Sequence, residues 1–276
     1  MKTQAARSLS AHLDALLAKG RVTFDGEEAI AELGLAPGAF LDAAERLQRQ
    51  GRLLKPKHGF YVVVPPQFRS YGAPPPPWYI DDLMRHAGRA YYVGLLKAAE
   101  MHGASHQAVM DFQVVADRQL PPLRVGRSAI TFHYRKDIGA VVAGVGERKT
   151  EAGRVRVSSP ELTALDLVRY PRASGGLDNA ATVLDELADR LKPEALAALA
   201  PAFGRAVLQR LGHLLDRLGH PGAADPLRAA LAAGDDWRWV ELDPEEAGGD
   251  PDLASAPVER DARWRVLVRR APEIDA

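Results

Sequence analysis

Residues 34–64 read GLAPGAFLDAAERLQRQGRLLKPKHGFYVVV, and this stretch decides the fold of the N-terminal part of the chain. Gly34-Leu35-Ala36 is a short turn. Pro37 follows where a first helical residue is well tolerated, because its missing N–H would have no helical partner there. Phe40, Leu41, Ala44 and Leu47 recur at helical spacing, which predicts a helix over 37–50 stopped by Gly51. Arg52-Leu53-Leu54 and Gly59 to Val64 are β-rich arms around a basic tip, Lys55-Pro56-Lys57-His58. Working upstream, Ala29, Ile30 and Leu33 predict a helix over 27–33, and residues 21–24 read as extended. Leu9, Leu13, Leu16 and Leu17 predict a first helix over 8–18, ended by Gly20. Helices joined by a tight turn and followed by a basic hairpin make a winged helix-turn-helix. Its last helix enters a major groove and its hairpin rests on the backbone.

The expected nucleic-acid contacts are Arg46 and Arg49 on the third helix, with Arg52, Lys55, Lys57 and His58 on the hairpin. Most such contacts position a protein on phosphates and few read bases. Gly38, Ala39 and Asp42 face the groove at the helix start; so few long side chains leave part of any specificity to DNA shape. A winged helix also serves as a protein-interaction module. Residues 1–64 hold nine Lys/Arg against seven Asp/Glu, so charge alone does not choose between the two.

Beyond Val64, residues 65–77 (PPQFRSYGAPPPP) read as a linker, with Pro74 to Pro77 as a semi-rigid extended spacer. The expected fold class is therefore α+β: a winged helix over 1–64, a Pro-rich linker over 65–77, and a larger mixed C-terminal domain over 78–276. In that domain, helices are expected at 80–86 and 93–102, strands at 112–116, 123–125, 129–134 and 154–157, and a helix opened by Ser159-Pro160-Glu161. More helices follow to Ala232. Two last strands, 237–242 and 264–268, are expected to pair as a hairpin around an acidic loop.

The 276 residues carry no net charge, yet the charge is unevenly placed. Residues 118–156 hold nine Lys/Arg against three acids, and residues 235–262 hold ten acids against two arginines. Alternation along the strands puts Arg135, Arg154 and Arg156, with Arg124 and Arg127, on a face suited to tracking a backbone. The competing reading is that the acidic segment, loop 243–262 included, neutralises this stripe. There is no cysteine, so thiolate metal sites and cysteine nucleophiles are excluded. No apolar run approaches the ~20 residues of a membrane helix, and no signal peptide is visible, so a cytoplasmic protein without membrane contact is expected.

Chemistry-bearing constellations are weak. Glu100, His102 and His106 resemble a metal site only in spacing, and capping or surface roles suit these histidines better. Asp137 followed by Glu147-Arg148-Lys149 has the spacing of a metal-dependent nuclease, with two carboxylates for a divalent ion and a lysine for water; with Gly144, Gly146 and Gly153 around it, Arg148-Lys149 reads more naturally as a basic turn. No phosphate-binding loop, nucleophile elbow or cofactor pattern is present, so neither catalysis nor a cofactor is expected.

The layout resembles the AbiEi family, antitoxins of bacterial type IV toxin–antitoxin and abortive-infection systems. The residues that carry the resemblance are the Lys55-to-Tyr61 hairpin, the run YYVGLLKAAEMHG at 91–103, and VSSPELTALDL at 157–167. The resemblance implies a repressor that binds inverted repeats in its own double-stranded promoter DNA through residues 8–64. It implies that the C-terminal domain counteracts a nucleotidyltransferase-like toxin, without requiring a tight complex.

Overall fold

The structure, a computed structural model, describes residues 8–104, 109–233, 237–244 and 256–274. The chain divides into two compact units. The first comprises residues 1–92, 110–135 and 147–156, and the second 93–109, 136–146 and 157–276.

The first unit opens with α1 (Leu9–Ala18), β1 (Thr23–Asp25), α2 (Gly26–Leu33) and α3 (Pro37–Arg49), then a hairpin of β2 (Leu53–Lys57) and β3 (Phe60–Val63). The caps explain the boundaries. Ser8 Oγ accepts from Ala11 N at 3.2 Å, and Asp25 Oδ1 accepts from Glu27 N at 2.8 Å and Glu28 N at 3.2 Å. Gly34 ends α2 in the left-handed region, φ 64°, which a side chain would resist. Strand β3 is the centre of an antiparallel sheet, with β1 and β2 on its two sides. Leu9, Leu13, Leu16, Phe40, Leu47 and Tyr61 form the shared core, each apolar side chain worth roughly 1.5–3 kcal/mol on burial. Phe24 stacks on Tyr61 with ring centres 5.2 Å apart. Burial pushes the Tyr61 hydroxyl pKa up, and the Asp25 carboxylate adds to it.

The proline-rich segment is only partly the extended spacer expected from its composition. Pro75 is extended, but Pro66–Phe68 and Pro76–Trp78 are 3₁₀ turns, and Ala73 and Pro74 are buried. The cause is a close approach by another turn: a Cβ on Gly126 would lie 2.7 Å from the Gly72 carbonyl carbon and 2.8 Å from the Ala73 side chain.

After α4 (Ile80–His86), the chain builds a six-stranded sheet from β4 (Tyr91–Val93), β5 (Asp111–Ala116), β6 (Leu123–Val125), β7 (Ser128–Tyr134), β8 (Val145–Thr150) and β9 (Gly153–Ser158). The order is β6-β7-β5-β4-β9-β8. Strands β5 and β7 run parallel, from Asp111 opposite Ala129 to Ala116 opposite Tyr134, and β6 folds back antiparallel on β7. Two expectations are corrected here. Residues 148–149 lie in strand β8, and the turn falls at 151–152 instead. Arg135 is buried, at 1 % exposure, whereas Tyr134 is the exposed residue at the end of β7. The strand is paired on both sides and Thr131, Phe132 and His133 are all half-buried, so period-two alternation does not separate a wet face from a dry one.

The second unit is mainly helical: α5 (Leu95–Met101), α6 (Pro160–Arg169), α7 (Gly176–Ala188), α8 (Pro193–Leu199), α9 (Arg205–Arg217) and α10 (Pro221–Ala232). Helix α6 is its centre, with every residue from Glu161 to Val168 buried. Ser159 caps it, and buried Glu161 is satisfied by Lys192 N at 2.9 Å. The expected terminal hairpin is also corrected. Strand β10 (Val240–Glu241) runs parallel to β12 (Val266–Val268), and the antiparallel partner of β12 is β11 (Glu259–Asp261). The chain turns back at 262–265, between β11 and β12, which makes that pair the antiparallel one. One face of α9 seats this small sheet. Gln209 Nε2 donates to the Trp264 carbonyl at 2.9 Å, Trp264 Nε1 donates to Asp216 at 2.6 Å, and His213 lies 2.6 Å from Asp261. No helix of the described residues is long and apolar enough to cross a membrane.

Candidate nucleic-acid interface

Of the eleven residues expected to contact nucleic acid, all but His58 fall into three groups in the structure. The first is exposed and carries no ion pair among the described residues: Arg46 on α3, Lys55 and Lys57 on β2, and Arg124 and Arg127 around the β6–β7 turn. Lys55 Nζ sits 5.7 Å from the centre of the Tyr61 ring, which holds its stem along the sheet while the ammonium stays in solvent. His58 is exposed at the tip, and its carbonyl accepts from His86. Strand β2 packs beside β6, and Arg127 N donates to the Tyr71 carbonyl at 3.3 Å. The hairpin cations and those of the β6–β7 turn therefore lie on neighbouring strands of one unit, although some 70 residues separate them in sequence.

The second group is exposed but already paired. Arg49 lies 3.7 Å from Glu45, Arg154 is 2.8 Å from Glu147, and Arg156 is 3.9 Å from Asp81. The third group serves the fold. Arg52 donates to Ser10 Oγ at 2.8 Å and to Asp14 at 2.7 Å, which ties the start of the hairpin to α1. Arg135 is buried.

Arg154 and Arg156 line a mixed-charge cleft of about 510 Å³ in the first unit, together with Arg21, Asp81, Asp82 and Arg85. Its carboxylates are occupied: Asp81 accepts from Tyr91 Oη at 3.0 Å, and Asp82 accepts from Arg85 at 2.8 Å and from Thr23 Oγ1. Burial and the neighbouring Asp81 push the Tyr91 hydroxyl pKa far up, so it is a fixed donor in this network.

Three of the residues weighed for metal chemistry are engaged elsewhere. Glu147 is paired with Arg154, His102 Nε2 contacts the Ser158 carbonyl at 2.7 Å, and Glu100 accepts from Lys97 at 2.8 Å. His106 lies outside the described residues, as does most of the acidic loop. Among the described residues, no group of three His, Cys, Asp or Glu side chains is placed to hold a metal. Sequence reasoning missed His86, which reaches both the hairpin turn and the cap of α2; no local signal marks a contact between segments 28 residues apart.

Comparison with known proteins gives two family matches. Residues 13–64 match the family described as transcriptional regulator, AbiEi antitoxin, and residues 92–217 match the AbiEi antitoxin C-terminal domain. Comparison with curated proteins gives no significant match. Among solved structures, the crystal structure of the RV2827C protein from Mycobacterium tuberculosis is similar in fold. The TM-score is 0.66 at 18% identity, over 94% of this chain and 90% of that one. With its N-terminal module and the following domain each matching a part of the same kind of protein, the chain belongs to the AbiEi family of antitoxins and transcriptional regulators.

Proposed function

We propose that residues 8–64 act as a winged helix-turn-helix and that the protein represses its own operon by binding inverted repeats in double-stranded operator DNA. Helix α3 enters the major groove and the β2–β3 hairpin lies on the backbone. The observation that carries this reading is the hairpin itself: Lys55 and Lys57 are exposed, without ion pairs among the described residues, and adjacent to the strand that bears Arg124. Cations of this kind gain most from releasing counterions of a phosphate chain. Arg154 and Arg156 are poorer contacts, because each must first leave a carboxylate. The larger C-terminal part counteracts a nucleotidyltransferase-like toxin, and a tight complex is not required. The protein acts in the cytoplasm and performs no catalysis of its own.

The test has two parts. The protein should retard its own upstream DNA in the presence of excess random duplex, and should repress a reporter driven by that DNA. Co-expression should restore growth to cells making the neighbouring toxin. Failure to prefer the upstream DNA would overturn the repressor reading. Failure to restore growth would overturn the toxin reading.

A further inference from the structure

The outward stripe of α3 has unusual chemistry for a helix that would enter a groove. Its exposed positions are Pro37, Gly38, Ala39, Leu41, Asp42, Glu45, Arg46 and Arg49. The first two turns therefore carry no side-chain donor. Leu41 is 52 % exposed, and Asp42 makes no hydrogen bond or ion pair among the described residues. The Phe40, Ala44 and Leu47 stripe fixes the rotation of the helix, so Leu41 and Asp42 cannot turn inward. Arginines that could grip guanine appear only in the last turn, Arg46 and the Glu45-paired Arg49.

A carboxylate on a DNA-facing surface is repelled by phosphates, a cost that a hydrogen bond from a base offsets. In the major groove, a carboxylate is matched by the exocyclic amino group of cytosine, and an apolar side chain by the methyl group of thymine. We infer that Asp42 and Leu41 set the operator preference of α3, Asp42 by accepting from a cytosine amino group and Leu41 by packing on a neighbouring thymine methyl. This inference rests on the reading that α3 enters the major groove. Asp42 then has two effects of one origin. It discriminates for cytosine on the correct site, and it weakens binding everywhere else.

The test is enrichment of bound duplexes from a random pool by the full chain, the Asp42→Asn variant and the Leu41→Ala variant. Both residues are exposed and Asp42 makes no hydrogen bond or ion pair among the described residues, so both variants should stay close to the parent stability. The parent should enrich a motif with cytosine beside thymine. Asn pairs with adenine through N6 and N7, so Asp42→Asn should move that one position from cytosine to adenine and raise affinity for random duplex. Leu41→Ala should relax the thymine, with about tenfold loss of discrimination at that position. If all three proteins enrich the same motif, the inference fails and groove binding stands. If the parent enriches nothing, the DNA-binding reading fails and the inference falls with it.

Discussion

His86 holds Asp25 at 3.2 Å through Nδ1, while its Nε2 lies 3.0 Å from the His58 carbonyl oxygen. Asp25 is the residue that caps α2, and His58 is the tip of the hairpin. One imidazole from α4 thus fixes the hairpin turn against the start of α2. Gly59 makes room for it: a Cβ there would stand 3.3 Å from the ring, and its φ of +75° already disfavours any side chain. His86→Ala should cost on the order of 1 kcal/mol, read as a lower urea midpoint. It should also weaken binding to every duplex alike, because a loose hairpin affects phosphate contacts and not base contacts. Loss of stability with unchanged DNA affinity would show that the hairpin needs no such tether.

Gly212 lets α9 touch Trp264. A Cβ at this position would lie 2.2 Å from the ring, and the ring cannot retreat while Nε1 is bonded to Asp216. Gly212→Ala should therefore destabilise the second unit by about 1–3 kcal/mol through overpacking, despite its better helix propensity. The urea midpoint measures this. A stabilised variant would mean that the small terminal sheet does not sit on this face of α9.

His133 supplies a pH dependence. Burial pushes its pKa below the ordinary 6.5, and the nearby Asp111 opposes this only in part. The folded state therefore prefers the neutral ring, and the unfolded chain binds the extra proton first. Stability should be full above about 6.5 and should fall as the pH drops below it. His133→Gln should flatten the fall in Tm between pH 6.5 and more acidic buffers. Equal slopes in the two proteins would exclude His133 as the cause.

The N-terminal elements were legible because each carries its own punctuation. Leu spacing, Gly20, Gly34, Pro37 and Gly51 mark starts and stops within a few residues of where they act. Ser159 opening α6 was legible for the same reason. What failed was non-local. The parallel pairing of β10 with β12 depends on β11, which the sequence does not mark. The buried Arg135 lies at the end of an interior strand, where alternation loses its meaning. Among the candidate cations, charge gave the set but not the roles. Arg52 and Lys55 look alike in sequence, yet Arg52 is spent on Ser10 and Asp14 while Lys55 is left to solvent. The AbiEi resemblance rested on runs such as 91–103 and 157–167, which, Tyr91 apart, the C-terminal domain match covers.

The most direct measurement is the slope of log affinity against log salt for the upstream DNA, in the parent, in Lys55→Ala with Lys57→Ala, and in Arg52→Ala. Each lost phosphate contact should lower the slope by about one, so the double variant should lose about two. Arg52→Ala should lower stability and leave the slope where it was. A double variant with the slope of the parent would contradict the claim that the hairpin lies on the DNA backbone.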